Sequence, residues 1–174
     1  MPTIKNYLSL VKFSHTVFAM PFALIGFALA VRYGTPIKLL FQNPFEFHVN
    51  GQVMHGLNPA LKFYLKIFVL IIVCMVTARS AAMAFNRYLD RNFDAKNPRT
   101  ALREIPRGII SSPHALRFVI INCILFIIAT FFINKICFYL SPLALFVVLF
   151  YSYTKRFTPL CHLVLGMGLS LAPI

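Results

Sequence analysis

The chain has 174 residues, of which 59% are apolar and 12% charged, and its mean hydropathy is +0.77. A water-soluble domain carries about 25% charged residues, so this composition excludes an ordinary soluble domain and equally a disordered chain. Seventeen Lys and Arg against four Asp and Glu give a formal charge of +13, a balance suited to nucleic acid or to an anionic membrane. The hydropathy decides for the lipid bilayer, and no nucleic acid is expected as a partner.

A transmembrane helix needs about 20 mostly apolar residues. In chain order, spans are expected at residues 15–31, 63–84, 115–133 and 136–153. A fifth, at 159–174, is cut by the end of the chain. The first resembles a signal peptide, with Lys5 and Lys12 before it and Ala28-Leu29-Ala30 at its end. Its length and the spans that follow favour a retained helix. Residues 33–61 form a long loop whose apolar patch, Ile37 to Phe47, is expected to lie on the interface. Residues 134–135 leave room only for a tight turn, so the third and fourth spans should pack as a hairpin. Residues 95–114 form a polar loop marked by Pro and Gly. No segment alternates like a barrel strand. The expected fold is therefore an all-α, polytopic transmembrane helix bundle, a single domain over residues 1–174.

Lys and Arg concentrate in cytoplasmic segments. With the N-terminus inside, the inner segments hold Lys5, Lys12, Arg87, Arg91, Lys96, Arg99, Arg103, Arg107, Arg117, Lys155 and Arg156. The outer ones hold Arg32, Lys38, Lys62, Lys66 and Lys135, and Arg79 lies within the second span. This asymmetry places the N-terminus and the 95–114 loop in the cytoplasm. Cys74, Cys123, Cys137 and Cys161 form no C-x-x-C pair and read as small hydrophobes within helices.

The acidic residues are Glu46, Asp90, Asp94 and Glu104, so the chain's two aspartates stand four residues apart. If the second helix continues to about Asp94, then Asn86, Asp90 and Asp94 fall on one face. Two carboxylates on one face repel unless a cation lies between them. Hard oxygen ligands near a lipid interface suit Mg²⁺, which binds one or two carboxylates together with substrate phosphates. Arg87 and Arg91, beside that stripe, suit phosphate oxygens through the guanidinium fork. Arg79, deeper in the span, is an intramembrane charge of the kind that faces a cavity or partner. Tyr151 and Lys155 share a face at the inner end of the fourth span, at the depth of the aspartates. The blander reading of both clusters is helix ends wetted by salt bridges and interfacial anchors.

The run Asn86-Arg87-Tyr-Leu-Asp90-Arg91-Asn-Phe-Asp94-Ala-Lys-Asn97-Pro98-Arg99-Thr100 resembles the first aspartate-rich motif of the UbiA-type intramembrane prenyltransferases. The flanking Arg79-Ser-Ala-Ala-Met and Arg103-Glu-Ile-Pro106-Arg-Gly108 are similar too, as are His15 to Ala23 and the Tyr151 to Lys155 element. The form of the motif is most similar to the 4-hydroxybenzoate polyprenyltransferase branch. The resemblance implies transfer of a polyprenyl group from polyprenyl diphosphate to an aromatic acid acceptor, with 4-hydroxybenzoate as the acceptor of that branch, in quinone biosynthesis. It implies Mg²⁺ held by Asp90 and Asp94 with support from Asn86. It implies diphosphate contacts by Arg87, Arg91 and Arg99, and neutralisation of the leaving diphosphate by Lys155 beside Tyr151. A multi-pass protein of a bacterial inner membrane is implied as well. The family has nine helices and a second aspartate motif, and this sequence holds no third aspartate. The expectation is an N-terminal fragment with little or no activity alone. The alternative from another class is a cation-binding membrane transporter or channel subunit, since intramembrane acids mark ion paths. A CDP-alcohol phosphotransferase is disfavoured, because its D-G-x-x-A-R element is absent.

Overall fold

The computed structural model describes residues 3–12, 17, 20–34, 46–49, 52–55 and 59–154. Five helices and one β-hairpin occur among them: α1 (Ile4–Leu10), α2 (Met20–Gly34), β1 (Glu46–Val49), β2 (Gln52–His55), α3 (Pro59–Lys96), α4 (Ser112–Ile133) and α5 (Lys135–Thr154). Among the described residues three segments are long and apolar enough to cross a membrane: Leu61–Lys96, Ser112–Ile133 and Lys135–Thr154. The expected spans 63–84, 115–133 and 136–153 lie within them. The fifth, 159–174, lies outside the described residues. The all-α bundle stands, with one addition in the loop between α2 and α3. There β1 and β2 pair antiparallel, from Glu46 opposite His55 to Val49 opposite Gln52. Asn50-Gly51, the dipeptide between them, is the strongest short hairpin signal a sequence offers.

α3, α4 and α5 form an antiparallel three-helix bundle, and α2 and α1 pack on α3. Small and short polar residues make the contacts: Thr77, Ser80, Ala81 and Ala84 on α3, Ala115, Asn122, Ala129 and Thr130 on α4, and Ser141 and Ser152 on α5. Small side chains let backbones approach closely where lipid supplies no hydrophobic drive between helices. The large apolar residues, among them Val69, Ile120, Ile124, Leu125, Ile128, Phe131, Leu143 and Phe146, are exposed, as suits a lipid-facing surface. α2 meets α3 through the Phe27 and Phe68 rings, 5.2 Å apart.

The buried apolar cluster is confined to one end of the bundle. It joins Leu10 and Val11, Ala81 and Ala84, Ile105 and Ile110, and Ala115 and Val119. One region thus ties together α1 with the residue after it, α3, α4 and the segment between α3 and α4. α5 contains Pro142, which has no N–H to give to the Phe138 carbonyl. The buried Ser141 hydroxyl donates to that carbonyl instead, at 2.8 Å, so the helix continues through the proline. α4 ends at Asn134, whose N–H bonds Thr130 O at 3.2 Å and whose side chain accepts from Ile136 N at 3.4 Å, and α5 begins at once.

Candidate functional site: the acidic end of α3

α3 does not stop where its apolar run stops. It continues as a helix to Lys96, so Asn86, Asp90 and Asp94 occupy one face over its last turns. Pro98 disfavours helical geometry at Asn97 and ends it. The chain then turns tightly. Asn97 N–H reaches Asp94 O at 3.3 Å, and the Thr100 hydroxyl donates to the same carbonyl at 3.0 Å. The Asn97 side chain accepts from Arg99 N at 3.0 Å. Gly108 adopts φ +72°, a left-handed conformation that favours glycine, and Ile105 and Ile110 on either side of it enter the core.

This segment is strapped onto α3 by two ion pairs. Arg103 Nη1 donates to Asp94 Oδ2 at 2.7 Å, with side chains 35% and 9% exposed. Arg87 Nη1 donates to Glu104 Oε2, with side chains 8% and 14% exposed. The other oxygen of Glu104 accepts from the Ser9 hydroxyl of α1 at 2.5 Å. Glu104 therefore clamps three parts of the chain: α1, α3 and its own segment.

The residues singled out in the sequence fall as follows. Asp94 is buried and held by Arg103, and Arg87 is buried and held by Glu104. Asp90 and Asn86 are half-buried on the same helix, and both make interactions. Arg91 folds back on its own helix, donating to Tyr88 O at 2.8 Å with its guanidinium 4.5 Å over the Tyr88 ring. Arg99 is exposed. Tyr151 is half-buried in the last turn of α5, whose C-terminal end lies at the same end of the antiparallel bundle as Asp94. Lys155 lies outside the described residues. Arg79 has a buried Nε with no hydrogen-bond partner. Periodicity gave Arg103 and Glu104 no role, although Glu104 is one of only four acids and its position beside the aspartates was a usable signal.

The oxygen donors fit a hard divalent cation. Two carboxylates and a side-chain amide stand in line at the end of an apolar bundle, and Arg103 occupies Oδ2 of Asp94. Among the described residues no cluster of three His, Cys, Asp or Glu forms a complete metal cage. Mg²⁺ does not require one, because it takes part of its shell from waters and substrate phosphates.

An integral-membrane helix bundle with an acid-lined helix end beside several arginines is the class of protein that these features define. The profile of the UbiA prenyltransferase family matches residues 55–174, and the chain belongs to that family. It is 32% identical over 146 residues to the 4-hydroxybenzoate octaprenyltransferase of Actinobacillus pleuropneumoniae serotype 5b (strain L20), covering 83% of this chain and 47% of that protein. It is 37% identical over 108 residues to the protein of the same name from Aliivibrio fischeri (strain MJ11), covering 61% and 37%. Among solved structures it is similar to an apo structure of a UbiA homolog from Aeropyrum pernix K1. The TM-score is 0.67 and the identity 29%, over 92% of this chain and 48% of that one. The chain spans about half the length of the curated relatives it matches.

Proposed function

We propose that this chain carries the first metal–diphosphate half-site of a Mg²⁺-dependent polyprenyltransferase acting on an aromatic acid, with 4-hydroxybenzoate as acceptor. The membrane is a bacterial inner membrane, and the N-terminus and the end of α3 face the cytoplasm. The observation that carries the reading is the placement of the chain's two aspartates, with Asn86, on the last turns of a membrane-crossing helix. Family membership and the names of the relatives supply the acceptor and the donor class.

Asp90 and Asp94 would hold the ion, with Asn86 beside them. Bound there, the ion supplies positive charge to the diphosphate as its bond to the prenyl carbon breaks. The chain's own residues do the rest. Arg99, exposed at the start of the strap, and Arg91 give guanidinium donors to diphosphate oxygens. Arg87 keeps one nitrogen on Glu104 and offers its remaining donors. Lys155, four residues after Tyr151 in sequence, neutralises the departing diphosphate. The apolar shafts exclude water from the allylic cation and strengthen each of these interactions.

Calorimetric titration of the purified chain with geranyl diphosphate tests this. Binding that requires Mg²⁺ and is lost in both Asp90→Ala and Asp94→Ala is expected. Binding that is indifferent to Mg²⁺ or unchanged by both substitutions would overturn the assignment.

A further inference from the structure

Asp94 is the site carboxylate that the fold has already paired. It is buried, and Arg103 occupies its Oδ2 at 2.7 Å. Asp90, one turn earlier on the same helix, is half-buried. A divalent cation drawn to both carboxylates therefore meets a guanidinium seated on one of them.

The surrounding charges decide which group gives way. Arg87 is held by Glu104, the residue after Arg103, and also interacts electrostatically with Asp94 and Arg103. These four side chains form one cluster of two cations and two anions. A divalent ion on Asp94 ends that balance, because it would share a carboxylate with a guanidinium across a few ångströms, away from bulk water. Arg87 is buried and tied to Glu104, so it stays. The Arg103 side chain is 35% exposed and has water to turn into. Its backbone is tied separately: its N–H bonds Thr100 O at 3.0 Å, and its carbonyl accepts from Arg107 N at 3.1 Å. The side chain can leave Asp94 while the strap stays down.

We propose that Arg103 is the resident counter-ion of Asp94 and is expelled from it when a divalent cation binds, while Glu104 keeps Arg87 and the strap in place. The inference rests on the reading of Asp90 and Asp94 as the cation ligands. Linkage gives it a second face. If the cation expels Arg103, then Arg103 weakens the cation by the same factor. A residue that merely shaped the site would do the opposite, and its loss would weaken binding.

Two measurements on the purified chain in neutral detergent test this. Mn²⁺, which oxygen ligands also accept, reports affinity through its electron paramagnetic resonance signal. Phenylglyoxal labelling with and without Mg²⁺, mapped by mass spectrometry, reports whether the Arg103 guanidinium is free. Arg103→Gln should bind Mn²⁺ about tenfold more tightly than the parent, an ordinary coupling between sites. Arg103→Lys, which keeps the charge, should bind it much as the parent does. Saturating Mg²⁺ should raise labelling of Arg103 severalfold, with buried Arg87 still protected and exposed Arg99 unchanged. Weaker or unchanged Mn²⁺ binding in Arg103→Gln overturns the proposal, and so does labelling of Arg103 that Mg²⁺ leaves unaltered. In either case, Mn²⁺ binding by the parent that is lost in Asp90→Ala leaves the cation reading standing. A parent that binds no Mn²⁺ removes both.

Discussion

Replacing Glu104 with Gln tests whether the clamp holds the strap on α3. The Arg87 and Glu104 side chains are 8% and 14% exposed, so the substitution leaves a guanidinium buried without its counter-charge. Breaking one side of a buried pair destabilises by about 3–5 kcal/mol. The bond from Ser9 to Glu104 is weakened as well, and a net hydrogen bond contributes about 0.5–1.5 kcal/mol. The strap leaves α3 without the bundle unfolding, so the loss should appear as local opening. Limited trypsin digestion reads it directly, because Arg103 is protected by its bond to Asp94. When opening is fast relative to cleavage, cleavage follows the open population. A loss of about 3 kcal/mol then raises cleavage after Arg103 by about a hundredfold. Arg87→Met should give a similar rise. The double variant Glu104→Leu with Arg87→Met should recover much of the protection, because no charge is stranded. Cleavage in Glu104→Gln within threefold of the parent, or a double variant as open as the singles, would refute the clamp.

Substitutions at three other positions probe further features of the structure. Ser141→Ala strands the Phe138 carbonyl that Pro142 already leaves unpaired; a stability loss of about 1–3 kcal/mol is expected in SDS titration from mixed micelles. Ser141→Thr, which restores a hydroxyl, should recover part of it. Gly108→Ala meets no atom within 4 Å but forces a β-carbon onto a φ of +72°; it should cost about 1 kcal/mol and raise cleavage after Arg107 severalfold. Asp94→Asn removes the charge that Arg103 holds; it should expose Arg103 to trypsin while leaving the Glu104 clamp closed, so cleavage rises less than in Glu104→Gln.

The helical shafts were legible because lipid demands long apolar runs and the sequence supplies them. The extension of α3 to Lys96 was legible too, since polar residues at four-residue spacing carry a helix past its apolar stretch. The β-hairpin does not follow from the loop's apolar patch, and its one signal is the Asn50-Gly51 dipeptide between the two strands. The clamp was not legible. Arg87 and Glu104 are 17 residues apart and Ser9 and Glu104 are 95 apart, and no periodic pattern links side chains across such separations. The role of Arg87 shifts accordingly: the sequence offers it as a diphosphate ligand, whereas the fold already commits one of its nitrogens to Glu104.

The acids at the end of α3 stand where helix physics disfavours them. A helix C-terminus carries partial negative charge, and a carboxylate in the last turn, here Asp94, opposes it by about 0.3–1 kcal/mol. Asp90 and Asp94 also repel each other across one turn. A sequence selected for stability alone would place lysines in that turn. This chain sets Asp94 there beside Lys96, with Asp90 one turn before it, and the following segment folds back so that Arg103 reaches Asp94. Arg103 can do so only if the segment is held down, and Glu104, the next residue, is the one that Arg87 and Ser9 hold. The two pairs therefore divide the work. The deeply buried pair fixes the strap, and the more exposed pair lends a cation to Asp94. An ion between the aspartates would relieve the same repulsion that Arg103 relieves at Asp94, which is why a line of acids costly to the helix is coherent as a cation site.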